Sequence, residues 1–352
     1  MSSFTKKVEI HLMVDSGAFS FKGKPISEFY FQQYCRFIKR NHNRISEYAT
    51  LDDLLSPEVT AENYRRMADE FSLRPMHAYH LAPKGHEMEP EHYLRIMLGN
   101  CEYFALGGLV GRSKKERREF LEFTLPIIQQ NAGRADRLPV HLFGIADVDL
   151  LAMVKWKSAD STTWEKLGRS GTFLKPKLNN NQWDFTDPEK IVCFTKTKTA
   201  RDQDYQALLQ YPTDKQEEIK RYLGEHNLSL GSSQPRYVDN SQQIAKRDHL
   251  WESVQRGLVE TSKDRGVFTD RYLVMAANVV FYRELGKQLG LDYYVSLSGL
   301  QDTLIREALV PARPTHVLCS YHYIHDKKGN VKAEDAILDR FFEIMKQAHA
   351  VN

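Results

Sequence analysis

Up to about residue 165 the chain alternates short apolar runs with amphipathic segments, a pattern that predicts parallel strands separated by helices. Val8-Glu9-Ile10-His11-Leu12-Met13-Val14 reads as a strand, with 29–39 as the helix behind it. Ile45-Ser46-Glu47-Tyr48-Ala49-Thr50-Leu51 predicts a second strand, and its helix is expected to start near Thr60, where Thr60 and Asn63 can cap. Residues 75–81 form the next strand, followed by a helix around 89–98. Tyr103-Phe104-Ala105-Leu106 runs into Gly107-Gly108-Leu109 and then a helix through Gln129. Val140-His141-Leu142-Phe143-Gly144-Ile145 follows, with 148–154 behind it. Such alternation implies right-handed crossovers, and this many units favour a closed (β/α)8 TIM barrel with insertions over an open sheet.

Beyond residue 165 the pattern is looser. Asn179-Asn180-Asn181-Gln182-Trp183 reads as a loop, 206–223 and 270–289 as largely helical, and 231–235 as an exposed connection. Strand candidates are 191–195, 293–297 and 316–324, and the pattern does not say which of them closes the barrel. No fixed-period repeat is visible. A single domain over 1–352 is expected, with its clearest part at 8–165 and the remainder completing the barrel.

Composition changes this picture little. The 352 residues are 41% hydrophobic, with no run near the ~20 apolar residues of a membrane span. Residues 1–7 lack the apolar core of a signal peptide, so a soluble cytoplasmic enzyme is expected. A net charge of +3 does not by itself announce a nucleic-acid partner. Local clusters say more. Arg112, Lys114, Lys115, Arg117 and Arg118 form a basic knot; Lys155 and Lys157 precede Asp160, and Lys175, Lys177, Lys196, Lys198 and Arg201 follow it. Each is either a solvated face or a grip on phosphates. Cys35, Cys101, Cys193 and Cys319 form no CxxC pair and read as thiols in a reducing compartment. His316, Cys319, His322 and His325 look metal-like in spacing, but on a strand Cys319 and His325 face away from His316 and His322. No metal is expected there.

Two aspartates carry the candidate chemistry. Asp15 opens Asp15-Ser16-Gly17-Ala18-Phe19-Ser20 at the end of the first strand, and Asp160 stands in Lys157-Ser158-Ala159-Asp160-Ser161-Thr162-Thr163-Trp164. Barrel enzymes keep their catalytic groups at strand ends. Two carboxylates so placed suit glycosidic-bond chemistry, one attacking the sugar and the other moving protons. Asp15 could equally open an Asx-turn, and Asp160 could cap a helix.

Four segments occur in a telling order: the Asp15 turn, Ala105-Leu106-Gly107-Gly108-Leu109, His141-Leu142-Phe143-Gly144-Ile145, and Ser158-Ala159-Asp160-Ser161. Together they resemble the queuine tRNA-ribosyltransferase (tRNA-guanine transglycosylase) superfamily, whose members carry a DSGG[FY]-type turn, an LGGL strand end, a VHLFG-type strand and an FDS- or FDC-type strand end. Ala18 in place of the second glycine, the Ser158–Trp164 stretch, and Tyr48-Ala49-Thr50-Leu51-Asp52 with Pro75-Met76-His77-Ala78-Tyr79-His80 look closer to the DpdA-type DNA-guanine transglycosylases, many of them virus-encoded. One departure matters. The tRNA enzymes hold a structural zinc through CxCxxC and a later histidine, and here that stretch has only Cys193.

The resemblance implies a TGT-like barrel that exchanges guanine in DNA for a 7-deazaguanine such as 7-cyano-7-deazaguanine, without a cofactor. Asp160 matches the nucleophile and Asp15 the general acid/base. Ser16, Gly17, Phe19, Gly107, Gly108, Leu109 and Gly144 match positions around the base. Asp52 aligns loosely with the acid that reads the base edge, with Asp53 a rival; His80 could add a polar contact, and Phe19 or Tyr79 could stack. The target nucleotide would have to be extruded or single-stranded. Arg112, Lys114, Lys115, Arg117, Arg118 and Lys157 are the candidates for gripping DNA. A homodimer is compatible with the pattern, and no membrane partner is expected. The rivals are the same exchange on tRNA, a non-catalytic nucleic-acid-binding barrel subunit, and an unrelated barrel glycosidase.

Overall fold

The computed structural model describes residues 10–21, 25–54, 56–81, 91–131, 138–193, 208, 211–237, 249–253, 258–297, 306, 308, 316–321 and 334–350. The chain divides into two compact units: one of 1–162, 286–300 and 315–352, the other of 163–285 and 301–314.

The first unit holds one eight-stranded sheet. Its strands are β1 (His11–Asp15), β2 (Glu47–Tyr48), β3 (His77–His80), β4 (Phe104–Gly107), β5 (Leu138–Leu142), β6 (Trp156–Ser161), β12 (Asp292–Leu297) and β13 (His316–Ser320). They lie in the order β2-β1-β13-β12-β6-β5-β4-β3, and every recorded pairing is parallel. The ends of that order meet at a single parallel bridge, Ala49 to Met76, where Met76 N donates to Tyr48 O and Thr50 N to Met76 O, each at 2.8 Å. Elsewhere neighbouring strands pair over two to five residues; here there is one bridge, so the curled sheet is not the closed barrel that the sequence pattern predicts.

Helices α1 (Glu28–Asn41), α2 (Pro57–Phe71), α3 (Glu91–Asn100), α4 (Lys114–Asn131) and the short α5 (Val148–Leu151) fill the crossovers. Ser27 caps α1, accepting from Tyr30 N, and Ser56 caps α2 with Pro57 at its first position. The expected start of α2 at Thr60 is thus corrected: Thr60 lies inside the helix, and its Oγ1 accepts from Asp53 N at 2.8 Å, while Asn63 donates to Leu51 O. Both side chains tie the helix to the chain entering it. A C-terminal helix, Glu334–Ala350, was not foreseen.

The second unit is antiparallel. β7 (Thr172–Asn179) and β8 (Gln182–Val192) form a hairpin, and β9 (Ser232–Tyr237), β10 (His249–Ser253) and β11 (Leu258–Asp264) form a sheet in the order β10-β11-β9. The hairpin turns on Asn180 and Asn181, at φ 49° and 62°, left-handed conformations that asparagine tolerates. Residues 231–235, expected as a connection, lie mostly in β9, an edge strand where Pro235 does little harm. Its partner β11 is too distant in sequence for local pattern to reveal. The unit also contains α6 (Thr163–Arg169), α7 (Thr213–Glu225) and most of α8 (Arg271–Leu289). Buried Asn278 on α8 accepts from Leu174 N and donates to Thr172 O, pinning the helix to β7. No helix among the described residues is long and apolar enough to cross a membrane.

One buried group makes the first unit acid-sensitive. His77 is buried, its ring stacks on Tyr64 at 4.4 Å, and neither ring nitrogen has a hydrogen-bond partner among the described residues. Burial pushes its pKa down to about 3, against a smaller upward pull from Asp52. An unfolded histidine titrates near ~6.5, so between these values the unfolded chain binds the extra proton and stability falls with pH, by about 3–5 kcal/mol across the window. His77→Phe keeps the stack and removes the proton. Its melting temperature should fall less between pH 7 and pH 4 than the parent's; parallel curves would contradict a neutral buried His77.

Candidate active site

The inner face of the eight-stranded sheet is floored by Met13, Met76, Ala78, Tyr103, Ala105, Tyr294 and Leu318, with Phe143 packed against them. Strand residues two apart share a face. Asp15, His80 and Gly107 therefore stand one step beyond Met13, Ala78 and Ala105, at the C-terminal ends of β1, β3 and β4. On β6, Ser158 joins the floor by hydrogen bonding to the Tyr103 hydroxyl, and Asp160 is the next residue on that face. Alternation alone thus delivers both predicted aspartates to one end of one face.

Asp160 is buried, and a buried carboxylate has to be hydrogen-bonded. Its Oδ1 accepts from Gly144 N at 2.9 Å and lies 3.2 Å from His141 Nε2; Oδ2 accepts from nothing among the described residues. Gly144 has φ +72°, and a Cβ there would run into the Val110 side chain, so glycine is what permits the turn that aims this N–H. Asp160 is bound to β5 and the turn after it, which sets aside its alternative as a mere helix cap. His141, Ser158 and Tyr103 were not singled out as site residues. A polar side chain two positions before a catalytic candidate was the available signal for Ser158; the reach of His141 across strands had none.

A second buried carboxylate faces the same end. Asp52 Oδ1 accepts from Ser16 Oγ at 2.7 Å, and Oδ2 lies 2.7 Å from His80 Nε2. Burial would raise the Asp52 pKa, but His80 and the Ser16 hydrogen bond outweigh it and hold the carboxyl below its ordinary value. Asp53, its rival, instead accepts from Ser56 N at the start of α2. The Gly107 position is filled by His80: a Cβ there would fall 2.5 Å from His80 Nδ1. Gly108, at φ +72°, would run a Cβ into Leu81 O.

Asp15 is partly exposed, on a strand separated from β6 by β13 and β12. Its charge adds to the effect of burial in raising the Tyr34 phenol and in pushing the Cys319 thiol up to about 12. In the turn after it, Ser16 is fully buried and Ser16 Oγ accepts from Ala18 N, while Tyr30 donates to Ser16 O at 2.8 Å. Gly17, at φ +78°, makes the bend. Phe19 is 62% exposed just past it. Tyr79 is excluded as a stacking residue, since it is buried against Phe120. Leu109 is likewise fully buried.

The basic candidates separate. Arg118 is exposed on α4, as is Lys115, which lies 3.7 Å from Glu119; Lys114 pairs with Asp149, Arg112 reaches Glu116 at 3.3 Å, and Arg117 donates to Arg112 O. Lys157 is corrected as a DNA grip. It lies three residues before Asp160, about 10 Å nearer the N-terminal end, 3.6 Å from Glu47 and over the Tyr103 ring. Lys175 is fully buried between Glu189 and Glu218, and Lys177 pairs with Asp187. Lys196, Lys198 and Arg201 lie outside the described residues, as do His322 and His325. No group of three or more His, Cys, Asp or Glu that could hold a metal ion occurs among the described residues. No protein-family model, curated protein or solved structure matches the chain.

The packing of His80 on Gly107 has a measurable consequence. Gly107→Ala should cost about 1–3 kcal/mol by driving His80 off Asp52, whereas Gly99→Ala, with open space around it on α3, should be neutral or stabilising by about 0.5–1 kcal/mol. Urea midpoints of the two variants compare them directly, and coincident midpoints would refute the close approach.

Proposed function

We propose that the chain is a DNA-guanine transglycosylase, a pentosyltransferase that exchanges guanine in DNA for a 7-deazaguanine base through a covalent glycosyl intermediate on Asp160. The observation that carries the reading is the placement of Asp160: buried, held through Oδ1 by Gly144 and His141, with no partner for Oδ2 among the described residues. A nucleophile needs one oxygen fixed and the other available.

In the proposed reaction Asp160 Oδ2 bonds to C1′ as the bond from C1′ to guanine breaks, and Asp15 protonates the departing base. Asp15 then takes a proton from the incoming deazaguanine as its nitrogen bonds to C1′ and the ester breaks, restoring the Asp160 carboxylate. The His80 ring packs over Gly107, and Asp52 with His80 supplies fixed polar groups at that strand end. Exposed Phe19 is the aromatic available for stacking.

A (β/α)8 barrel of the transglycosylase type belongs to the same proposal. In favour are the strand order, which follows chain order around a ring from β1 to β6 and then β12 and β13, and the Ala49–Met76 bridge between its ends. DNA is preferred to tRNA because the sequence lacks CxCxxC after Asp160.

Labelled guanine or 7-cyano-7-deazaguanine, incubated with the protein and either DNA or tRNA, tests the reading; incorporation into tRNA alone would overturn the choice of DNA. With the incoming base withheld, a covalent DNA adduct should form and should vanish in Asp160→Ala, and Asp15→Ala should slow exchange by about 10²–10⁴-fold. An adduct that survives Asp160→Ala would remove the nucleophile. Replacing Lys115 and Arg118 together with alanine should weaken DNA binding uniformly across sequences and lower the salt slope by about 2, read from affinities at several salt concentrations.

A further inference from the structure

We infer that His141 is a positioning residue for Asp160, locked in its neutral Nε2–H tautomer by a one-way hydrogen-bond chain that starts at Tyr103. The kinetic part of this inference rests on Asp160 being the nucleophile; the tautomer does not.

The directions follow from what each atom can do. An ionised Asp160 only accepts, so the His141 Nε2 at 3.2 Å has to carry a hydrogen. In a neutral ring Nδ1 is then a lone pair, and Ser158 Oγ, 2.6 Å away, donates to it. Having used its proton, Ser158 accepts from the Tyr103 hydroxyl. Every proton in the chain points toward the carboxylate. All four side chains are buried, so water does not offer substitute partners.

A second proton on His141 would make Ser158 Oγ accept from both His141 and Tyr103 and leave the buried Ser158 hydrogen without its acceptor. Burial pushes the Tyr103 phenol well above its ordinary range, so it remains a donor. Asp160, Glu47, Lys157 over the Tyr103 ring, and Asp292 and Tyr294 on β12 are charged and titratable groups around the chain. A neutral N–H orients Asp160 without cancelling the charge that makes it nucleophilic, which a cationic imidazolium would do.

The test uses the full chain with ¹⁵N-labelled histidine side chains, His141 being assigned from the signal lost in His141→Gln. At pH 7.5 the long-range ¹⁵N–¹H pattern should be that of the Nε2–H tautomer; an Nδ1–H tautomer or an imidazolium overturns the inference. Tyr103→Phe removes the first donor, so the Nε2–H pattern of His141 should give way to a mixture of tautomers, and an unchanged spectrum overturns the chain. His141→Gln, which keeps an N–H donor, should lose about 10-fold in rate and His141→Leu about 100-fold; equal losses overturn positioning. If the parent exchanges guanine in neither DNA nor tRNA, the proposed function fails while the tautomer is still decided by the spectrum.

Discussion

A carboxylate taken out of water has to be given hydrogen bonds, and at Asp160 that demand shapes three strands. The N–H of Gly144 reaches it only because the chain turns at φ +72°, where glycine alone is comfortable and where any side chain would meet Val110. His141 reaches it from the neighbouring strand, and His141 in turn needs Ser158, which needs Tyr103. The inner face of the sheet is therefore a polar thread set among apolar floor residues. Removing one member leaves a buried partner unsatisfied, so the cost of a change in the thread exceeds the worth of the single bond it breaks.

The other buried aspartate of the first unit obeys the same rule by different means. Asp52 draws one partner from its own side of the sheet, Ser16, and one from the third strand, His80. The His80 ring sits where only a glycine at position 107 leaves room. A backbone feature thus sets a charge: without Gly107 the imidazole could not stay against Asp52, and burial would push the carboxyl up instead of leaving it below its ordinary value.

The strands and most helices of residues 10–160 were legible because each declares itself within a few residues, by apolar alternation or by a cap. The strand-end positions of Asp15, His80, Gly107 and Asp160 followed from the same alternation. Partners contributed from another strand were not legible. Nothing near His141 in sequence says that its ring spans to Asp160, and nothing near Lys157 says that Glu47 will hold it toward the opposite end of the strands. The antiparallel unit was obscure for the same reason. β9 pairs with a strand more than twenty residues on, and buried Lys175 is explained only by Glu189 and Glu218.

The proposed reaction gives these two buried aspartates different work. Both oxygens of Asp52 are engaged, one by Ser16 and one by His80, so using either as a nucleophile would break a contact that keeps the charge tolerable in its site. At Asp160 both contacts made by the described residues fall on Oδ1. In the proposed reaction a bond at Oδ2 can form and break while Oδ1 keeps its two donors throughout, so the surroundings need not reorganise as charge leaves the carboxylate and returns. Asp52, fixed at both ends, suits the opposite task of holding a polar edge still. The asymmetry at Asp160 depends on the Gly144 turn and the His141 ring both lying on the same side of it, and that side is decided by the pairing of β5 with β6.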